Sequence, residues 1–578
     1  MTQAPHQQRH GHGVRFWALR LRHRLDGINP RLIDYLGYAG LFLLALYSFF
    51  YGLGDYGIIN GNEALYVESA REMVISGQWA IPTLNGLPYL EKPPLFVWLL
   101  TIAGHLGNSI ELTPRWVTAG AALLLTLGIV RFSVLLRIGN RGFAAAYVLV
   151  MSLGVDIMSR VAMPDLLLTT LFALGCFSFL VALRDGSVQY TRFAAALLGA
   201  ASLVKGPLSL ALFGLIVFAD YVIEAAHRPV IRELIRDPWA VVLLMLPLGL
   251  WLVVIEIQMP GSAYYFIVNE HVLRFLGMRE PHDYYSGSLL YYVPRLFLFI
   301  FPWAGVLLFG WLGNTRVEPL RQKNQRFLWL CVWVPFAFFS LSSAKANYYV
   351  LLCLPAMALL TADYLPNLLR ERRRFHLAMA VTVPILIFVV IWAIRIWELR
   401  SGRTAPLVPI RDGSGFLTIA VLIGLLLLVL VLIQFGWRRP AALCLGGLMM
   451  PVSFQFDHLV ALSEPIMSSR KLAAYIQNNY PDAPVYIYQD FESVGSLPIY
   501  LNRTIPVIDS QSNDLYFGRR KQPNHPNLVN VEDVTASGAG ALVVVLKERQ
   551  HAYKQTPLAV CSEEVATIGK ASLLKLSC

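Results

Sequence analysis

The chain has 578 residues, of which 56% are apolar and only 15% are charged, and its mean hydropathy is +0.54. A soluble domain carries about 25% charged residues, so this composition excludes an ordinary soluble enzyme. The 48 Lys and Arg residues outnumber the 36 Asp and Glu residues, which gives a net charge of +12. In a soluble chain this excess would suggest a nucleic-acid partner, but in a membrane protein it first indicates cytoplasmic loops.

The N-terminal segment, residues 1–32, is a basic leader that is predicted to stay in the cytoplasm. It precedes an apolar run over residues 33–53, which is about 20 residues long and can therefore cross a bilayer. A cleaved secretory signal would have a shorter apolar core and a small-residue cleavage site. The run is therefore predicted as an uncleaved first span.

Twelve further apolar runs are predicted as spans, so residues 33–460 form a transmembrane domain of about thirteen helices. The shorter run from Pro94 to Gly107 is predicted as an interfacial helix, because it has only about 14 residues and opens on two prolines. The arginine-rich loops then all fall on the cytoplasmic side, and residues 54–114 and 258–288 form periplasmic loops. The twelve runs are residues 116–136, 143–158, 164–183, 193–204, 208–226, 239–257, 289–311, 327–341, 348–365, 377–397, 416–435 and 441–459.

The last segment, residues 465–578, has the composition of a soluble domain, with 11 Lys and Arg against 10 Asp and Glu. A helical run at 467–477 and strand-like runs at 485–488 and 541–546 predict a small α/β fold. An odd number of spans places this domain in the periplasm, where Cys561 and Cys578 are candidates for a disulfide. Because its charge is nearly balanced, the positive excess belongs to the cytoplasmic loops, and no nucleic-acid partner is expected.

Polar residues that do not suit lipid gather at the outside ends of spans and in the outside loops. Carboxylates and lysines converging at the membrane surface suit a phosphate-bearing lipid substrate and an acid–base step. The sequence contains no phosphate-binding glycine loop and no nucleophile elbow, so nucleotide-driven transport is not expected. The residues are Asn62, Glu63, Glu91, Lys92, Asp165, Lys205, Glu270, His271, Arg274, His282 and Lys345.

Simpler roles exist for three of these residues. Lys205 and Lys345 each stand at the end of an apolar run, where a lysine commonly extends its ammonium group to the membrane surface. Asp165 follows Pro164 at the start of a span, where the helix dipole favours an acid. Two lysines at matching depth beside small residues make a phosphate site and two unrelated surface lysines equally good explanations.

The first outside loop contains two polar segments. Residues 62–74 have a helical period of apolar side chains and are predicted as an amphipathic helix on the membrane, with Asn62 as its N-cap. Capping explains Asn62 without any catalytic role. It does not explain the charged pair Glu91 and Lys92, which directly precedes the rigid proline entry to the interfacial helix.

Segments spread along the membrane part carry a family resemblance: Asn62–Met73, Gly77–Trp79, Asn85–Gly86, Tyr89–Pro93, Met163–Asp165, Lys205–Gly206, Glu270–His271, Arg274–Phe275, Tyr291–Pro294, Pro302–Trp303 and Ala344–Lys345. In this order they resemble the bacterial aminoarabinose transferases and their protein mannosyltransferase relatives, which are membrane glycosyltransferases that use a polyprenyl-phosphate sugar. The resemblance is weak over the C-terminal domain. It implies an all-α polytopic fold of the GT-C type, with about thirteen spans, two interfacial helices and a small C-terminal α/β domain.

The sequence departs from this family at the position of the proposed base. The family pattern begins the first interfacial helix with an Asp–Glu pair, whereas this chain has Asn62 followed by Glu63. An amide cannot act as a general base, so the resemblance leaves Glu63 or Asp165 to deprotonate or orient the acceptor. If the acceptor is itself a phosphate, Asn62 is tolerable. Leu65 also replaces an arginine that is usual in aminoarabinose transferases, which leaves the acceptor and the sugar open.

For the donor, the resemblance implies an inverting transfer in which the acceptor attacks the anomeric carbon as polyprenyl phosphate leaves. The leaving phosphate would be neutralised by Lys92, Lys205, Lys345 and Arg274. Glu91 and His271 are the ligand types of a divalent metal such as Zn²⁺, although an interfacial hydrogen-bonding role suits His271 equally well. No other cofactor is required, because the activated donor supplies the energy.

The predicted function is transfer of a sugar, such as 4-amino-4-deoxy-L-arabinose, from polyprenyl phosphate to an envelope acceptor such as lipid A. A monomer in a bacterial inner membrane would carry out this reaction on the periplasmic face. Within the same class, the alternatives are a protein O-mannosyltransferase-like enzyme and a transferase for another envelope glycan. A lipid-linked-sugar transporter would place its polar groups nearer the bilayer midplane, and an inactive lipid-binding protein is favoured by Asn62 alone.

Overall fold

The computed structural model of the chain describes residues 30–137, 141–282, 286–313, 319–371, 375–379, 382–383 and 414–577. The leader up to residue 29, most of the span predicted at 377–397, and Cys578 lie outside the described residues. Up to residue 462 the described elements are helices, apart from one two-stranded hairpin. The remaining residues contain the other strands.

Six helices are long and apolar enough to cross a membrane, and three further helix pairs qualify if each bent pair is one span. The pairs bend by 59°, 116° and 104°. The described residues therefore contain six to nine recognisable spans, and the count of thirteen stays a prediction. The six are Leu112–Leu135, Pro164–Asp185, Pro238–Gln258, Asn347–Arg370, Leu417–Gln434 and Arg438–Leu462; the pairs are Arg141–Val150 with Leu153–Ser159, Leu208–Ile223 with Ala225–Arg236, and Leu289–Phe299 with Ala304–Leu312.

The helix Pro164–Asp185 lies at the centre of this bundle. Its most apolar window is 94% buried, against 22% for Pro238–Gln258, because a helix that is apolar on all sides packs inside a bundle. It begins with a proline at its first position, and it ends at Gly186, which has a φ of 66°. It packs on Leu112–Leu135 and on Val188–Lys205. The remaining long helices are Pro30–Phe50 and Pro319–Leu341.

The first loop contains the helices Asn62–Ser76 and Leu95–Leu106, joined through the hairpin strands Thr83–Leu84 and Leu87–Pro88. The prediction of an amphipathic surface helix at 62–74 is wrong. Ten of the fifteen residues of Asn62–Ser76 are buried, including three glutamates. The helix is covered on one side by the membrane bundle and on the other by the C-terminal part of the chain, a tertiary arrangement that its own periodicity does not encode.

The C-terminal part is built on a six-stranded mixed sheet. Two short helices, Glu464–Met467 and Arg470–Asn479, precede it. Alternate residues of Leu542–Leu546 enter two separate apolar clusters, as expected for a strand that is covered on both faces. In spatial order the strands are Leu528–Val529, Val507–Ile508, Val485–Tyr488, Leu542–Leu546, Ala571–Leu576 and Ser562–Ile568, of which the first four are parallel.

Short helices lie between these strands, and one disulfide is present. Cys561 is disulfide-bonded, and its predicted partner lies outside the described residues. The main intervening helices are Leu497–Leu501, Tyr516–Lys521, Val531–Ser537 and Gln550–Tyr553.

The C-terminal domain packs directly on the first loop. The Asn60 side-chain oxygen accepts hydrogen bonds from the Ser496 amide at 3.0 Å and from its hydroxyl at 2.6 Å. The Asn85 side chain exchanges two hydrogen bonds with the backbone of Ile505, at 2.8 and 2.9 Å. The loop and the domain therefore form one continuous face, and they share an apolar cluster that includes Leu65, Leu84, Leu87 and Tyr89.

Candidate active site

A cavity of about 380 Å³ lies on this face, where the first loop meets the membrane helices. Titratable residues from separate elements border it: Lys92, Lys205, Glu270, His271 and Arg274. Much of the remaining wall is apolar and includes Leu208, Phe275, Leu276, Phe338 and Phe339. A wall of this kind can hold a ligand that joins an anionic group to a hydrocarbon chain.

Lys205 reaches the cavity because it is the last residue of its helix. The helix Val188–Lys205 runs antiparallel to Pro164–Asp185 after a two-residue turn, so its end lies beside Asp165, and the two side chains form a buried ion pair. The Lys205 ammonium also lies 4.7 Å from the centre of the Tyr349 ring and 5.2 Å from that of Tyr348. Asp165 therefore holds Lys205 at the wall of the cavity.

Gly206 ends this helix at a φ of 74°. A Cβ atom at this position would lie 2.4 Å from the His271 Nε2 atom, so only glycine permits the close approach of the two segments. The His271 Nδ1 atom is 2.7 Å from the Phe266 carbonyl oxygen. Burial lowers the pKa of His271 to about 4, which leaves the ring neutral at pH 7.

Lys92 enters the cavity from the first loop, directly before the prolines that open the helix Leu95–Leu106. Its ammonium group donates to the Glu91 carbonyl at 2.9 Å and lies 3.8 Å from the Glu91 carboxylate. Burial lowers the pKa of Lys92 to about 8, and the nearby charges of Arg274 and Lys205 contribute to the lowering. Arg274 and Lys205 thus share this space with Lys92, and a bound anion would relieve the mutual repulsion.

A buried arginine, Arg279, joins the two sides of the cavity. Its guanidinium group donates to the Glu91 carboxylate of the first loop, and its Nε atom donates to the Glu270 carboxylate at 2.8 Å. Glu270 is also paired with Arg274, one helical turn later, at 3.3 Å. Burial would raise the pKa of Glu91, but the charges of Arg279 and Lys92 outweigh it and lower that pKa. Burial and the Glu91 charge raise the pKa of Glu270.

Seven charged side chains at the cavity and directly behind it are joined by ion pairs. The set contains four cations and three carboxylates. Each carboxylate is paired with an arginine or a lysine. Three of the cations, Lys92, Lys205 and Arg274, border the cavity and can contact an anion bound there. The members are Lys92, Lys205, Arg274 and Arg279 with Glu91, Asp165 and Glu270.

Glu63, a predicted catalytic residue, lies elsewhere. It is buried in a bidentate ion pair with Arg115, with nitrogen–oxygen distances of 2.8 and 2.9 Å. Its two oxygens also accept the backbone amides of Ile59 at 2.8 Å and of Ala162 at 2.9 Å. Glu63 does not border the cavity, and its acceptor positions are occupied by protein groups. The structure therefore gives it a structural role.

Asn62 and Lys345 are also placed differently from their predictions. Asn62 is exposed and is the first residue of its helix, whereas Gly61 is the N-cap with a φ of 81°; the capping prediction is therefore wrong. Lys345 donates to the carbonyls of Phe339 and Ser340 at 3.0 and 2.7 Å. It closes the end of the helix Pro319–Leu341, consistent with a cation at a helix C-terminus, and it does not border the cavity.

The residues predicted to bind metal do not form a ligand set. The Glu91 carboxylate is bound by Arg279, and the His271 ring nitrogens face the carbonyls of Phe266 and Lys205. Across the described ranges no three His, Cys, Asp or Glu side chains are arranged to hold a metal ion. The donors present do not fit a divalent cation, and we assign no metal to this site.

Sequence reasoning missed Arg279, Arg115 and Tyr349. Arg115 had a signal, because a charge at the start of an apolar span normally faces the protein interior. Tyr349 had a weaker signal, as one of two adjacent tyrosines shortly after a lysine. Arg279 had none: it stands in an irregular loop, and only the folded chain brings it to Glu91, 188 residues away.

Replacing Arg279 with Ala is expected to lower the free energy of unfolding by about 3–5 kcal/mol, because two buried carboxylates lose their shared counter-charge. Arg279→Lys should fall between this variant and the wild type, since an ammonium group keeps the charge but cannot bind both carboxylates in the same fork geometry. Thermal unfolding in detergent would measure both effects. Wild-type stability in Arg279→Ala would show that the cluster does not depend on this residue.

Comparison with known proteins supports the architecture. Residues 91–255 match the family model described as dolichyl-phosphate-mannose-protein mannosyltransferase. The chain is 31% identical over 323 residues to an undecaprenyl phosphate-alpha-4-amino-4-deoxy-L-arabinose arabinosyl transferase of Aeromonas salmonicida, which covers 54% of this chain and 56% of the relative. A transferase of the same name from Yersinia enterocolitica is 26% identical over 89% of this chain and 93% of its own length.

Among solved structures, the crystal structure of ArnT from Cupriavidus metallidurans bound to undecaprenyl phosphate superposes with a TM-score of 0.76. It is 21% identical and covers 93% of this chain and 98% of its own. The chain therefore shares the fold of that structure. In sequence, the chain is similar to the aminoarabinose transferases and, over residues 91–255, to the protein mannosyltransferase family model.

Proposed function

We propose that this protein is a membrane glycosyltransferase that moves 4-amino-4-deoxy-L-arabinose from undecaprenyl phosphate to lipid A, on the periplasmic face of a bacterial inner membrane. The observation that carries the proposal is the meeting of Lys92, Lys205 and Arg274 at a cavity whose wall is largely apolar. A polyprenyl phosphate has the matching chemistry, an anionic group on a long hydrocarbon. Several of the aligned relatives carry this transferase's name.

The charges of the cavity suit the leaving group. A sugar linked to polyprenyl phosphate is a phosphodiester with one negative charge, and breaking the bond to the anomeric carbon leaves a monoester with further charge. Lys92, Lys205 and Arg274 stabilise the charge that develops in the transition state more than the charge of the bound donor. Asp165 pairs with Lys205, and Glu270, which Arg279 also binds, pairs with Arg274.

The carboxylates near the cavity favour an acceptor that is already an anion. Asp165 is paired with Lys205, and Glu270 with Arg274 and Arg279, so each is committed to a cation. A phosphate acceptor is largely ionised at pH 7 and needs little base catalysis. Lipid A phosphate fits this requirement better than a protein hydroxyl, which would need a strong general base.

Purified protein in vesicles with radiolabelled undecaprenyl-phosphate aminoarabinose and lipid A tests the proposal. Labelled lipid A, identified by mass spectrometry, is the expected product. Label that crosses the bilayer without forming a product would support a transporter and contradict the proposal. Transfer of mannose to a peptide hydroxyl would support the mannosyltransferase alternative, which the family match over residues 91–255 favours. Light scattering of the purified protein in detergent would test the predicted monomeric state.

The kcat/KM for the donor is expected to fall as the pH rises through about 8, where Lys92 loses its proton. The pKa of Lys92 is lowered, so the ammonium group is present below pH 8 and is lost above it. In the free enzyme this predicts that kcat/KM for the donor falls by up to about tenfold per pH unit above that value. Lys92→Arg should move the decline to higher pH, because a guanidinium stays charged. An unshifted profile in Lys92→Arg would assign the decline to another group.

A further inference from the structure

The strand order of the C-terminal sheet contains a switch point, outside the membrane cavity. From the central strand Val485–Tyr488 the chain moves to Val507–Ile508 on one side, and it later returns to Leu542–Leu546 on the other side. The loops that follow Tyr488 and Leu546 therefore diverge. In open sheets of parallel strands, ligands bind in the crevice outside the carboxyl ends at such a switch point.

Two buried polar side chains at this edge have unmet hydrogen-bonding capacity. Gln489 directly follows the central strand and is 7% exposed; one end of its amide bonds to the Tyr488 hydroxyl at 3.2 Å, and its other end has no partner in the described part of the chain. The Ser510 hydroxyl, after the neighbouring strand, is 9% exposed and equally unpartnered within those residues. Buried polar atoms normally find partners, so these two atoms point to a ligand.

The chemistry of this edge suits sugar hydroxyls. Arg549 follows the strand Leu542–Leu546, and its guanidinium donates to the Gln511 side-chain oxygen at 2.9 Å. The charges beside it nearly balance, with Asp490, Asp509 and Glu548 against Lys547 and Arg549. The loop after Tyr488 has no glycine-rich phosphate-binding pattern. Amide, hydroxyl and guanidinium groups with little net charge match an uncharged polyhydroxyl surface better than a nucleotide.

One segment connects this crevice to the membrane cavity. The Gln511 amide donates to the Gln489 carbonyl at 2.9 Å. Two residues further along, the Asn513 side chain donates to the carbonyl of His282, which lies in the loop over residues 258–288, at 3.1 Å. Asp514 then lies within electrostatic range of Glu91 and Arg279. The segment from Gln511 to Asp514 therefore contacts both the carboxyl edge of the sheet and the membrane part of the chain.

We propose that the crevice formed by Gln489, Ser510 and Arg549 binds the saccharide part of the acceptor and so presents its phosphate to the membrane cavity. This inference rests on the proposed function, because it assigns the crevice to the acceptor of that reaction. It gives the C-terminal domain a substrate-binding role that is separate from the chemistry of Lys92 and Lys205.

The double variant Gln489→Leu/Ser510→Ala tests the inference in the full-length protein. We expect the KM for lipid A to rise about tenfold, which corresponds to one or two lost hydrogen bonds. The donor KM and the rate at saturating lipid A should stay within about twofold of wild type, since no group that contacts the donor phosphate changes. Asp482→Ala, at the opposite edge of the sheet, is the matched control and should leave every constant unchanged. Thermal unfolding of both variants excludes misfolding as the cause.

Equilibrium titration with soluble probes separates this inference from the proposed function. The deacylated saccharide of lipid A should bind the wild type and not the double variant, whereas free aminoarabinose should bind neither. Saccharide binding that the double variant abolishes, in a protein that transfers no sugar, would uphold the crevice and overturn the proposed function. Active transfer with an unchanged KM in the double variant would overturn the crevice alone. Binding of aminoarabinose in place of the saccharide would overturn the acceptor assignment.

Discussion

Lys92→Ala is expected to lower kcat/KM for the polyprenyl-phosphate donor by about 10²–10³-fold, the range seen when one preorganised group that stabilises transition-state charge is removed. Lys92 is the cation that the first loop supplies to the cavity, and its ammonium group shares that space with Lys205 and Arg274. Its loss leaves the departing phosphate with less positive charge. Part of the effect should fall on kcat, because the phosphate gains charge as the bond to the sugar breaks.

The measurement is a steady-state transfer assay in vesicles, at fixed lipid A and varied donor. Lys92→Arg keeps the charge and should recover part of the activity at pH 7. Lys471→Ala removes an exposed lysine of the C-terminal domain and serves as the matched control. Unfolding temperatures close to wild type would show that Lys92→Ala remains folded. Full activity in the folded Lys92→Ala variant would contradict the assignment of Lys92 to a phosphate site.

Arg115→Ala is expected to lower the free energy of unfolding by about 3–5 kcal/mol, because it leaves the Glu63 carboxylate buried without its counter-charge. Arg115 is fully buried, and beyond its pair with Glu63 it donates to the carbonyls of Leu53, Tyr56 and Gly57. It therefore joins the end of the first span to the helix Asn62–Ser76. The loss should appear as a lower unfolding temperature and a smaller yield of folded protein.

Glu63→Gln separates a structural role from a catalytic one. The amide keeps the shape and one acceptor oxygen, so the folded fraction should retain kcat within a few-fold while its unfolding temperature falls. A general base would behave in the opposite way, with a loss of about 10²–10⁴-fold in rate at normal stability. That second pattern would restore Glu63 to catalysis and contradict the role given by its four hydrogen bonds.

Much of the cation cluster at the cavity was predictable because its signals are local. Lys92, Lys205 and Arg274 stand in short conspicuous contexts: before two prolines, at the end of an apolar run, and one helical turn after an acid. A lysine at the end of an apolar helix has to leave the hydrocarbon, and this places it at a surface without knowledge of its neighbours. The strands at 485–488 and 542–546 were equally local, as short apolar runs of β-branched residues.

The other residues depended on contacts that no local pattern carries. Glu63 and Asp165 are both acids at the start of a helix, yet one bonds to Arg115 and the other to Lys205 at the edge of the cavity. Lys345 has the same sequence signal as Lys205, but its ammonium group turns back onto the carbonyls of the preceding helix. Which partner each charge finds is decided by how the helices cross.

The sequence by itself determined that this is a helical membrane protein with a small α/β domain, because hydropathy and charge act over a few neighbouring residues. It also determined which cations lie near the ends of spans. Only the tertiary structure decided which of those cations face one cavity, that Glu63 and Lys345 bond to protein groups away from it, and that Arg279 joins the two sides. These outcomes depend on pairs of charges far apart in sequence, whose burial is tolerated only where a partner is within reach.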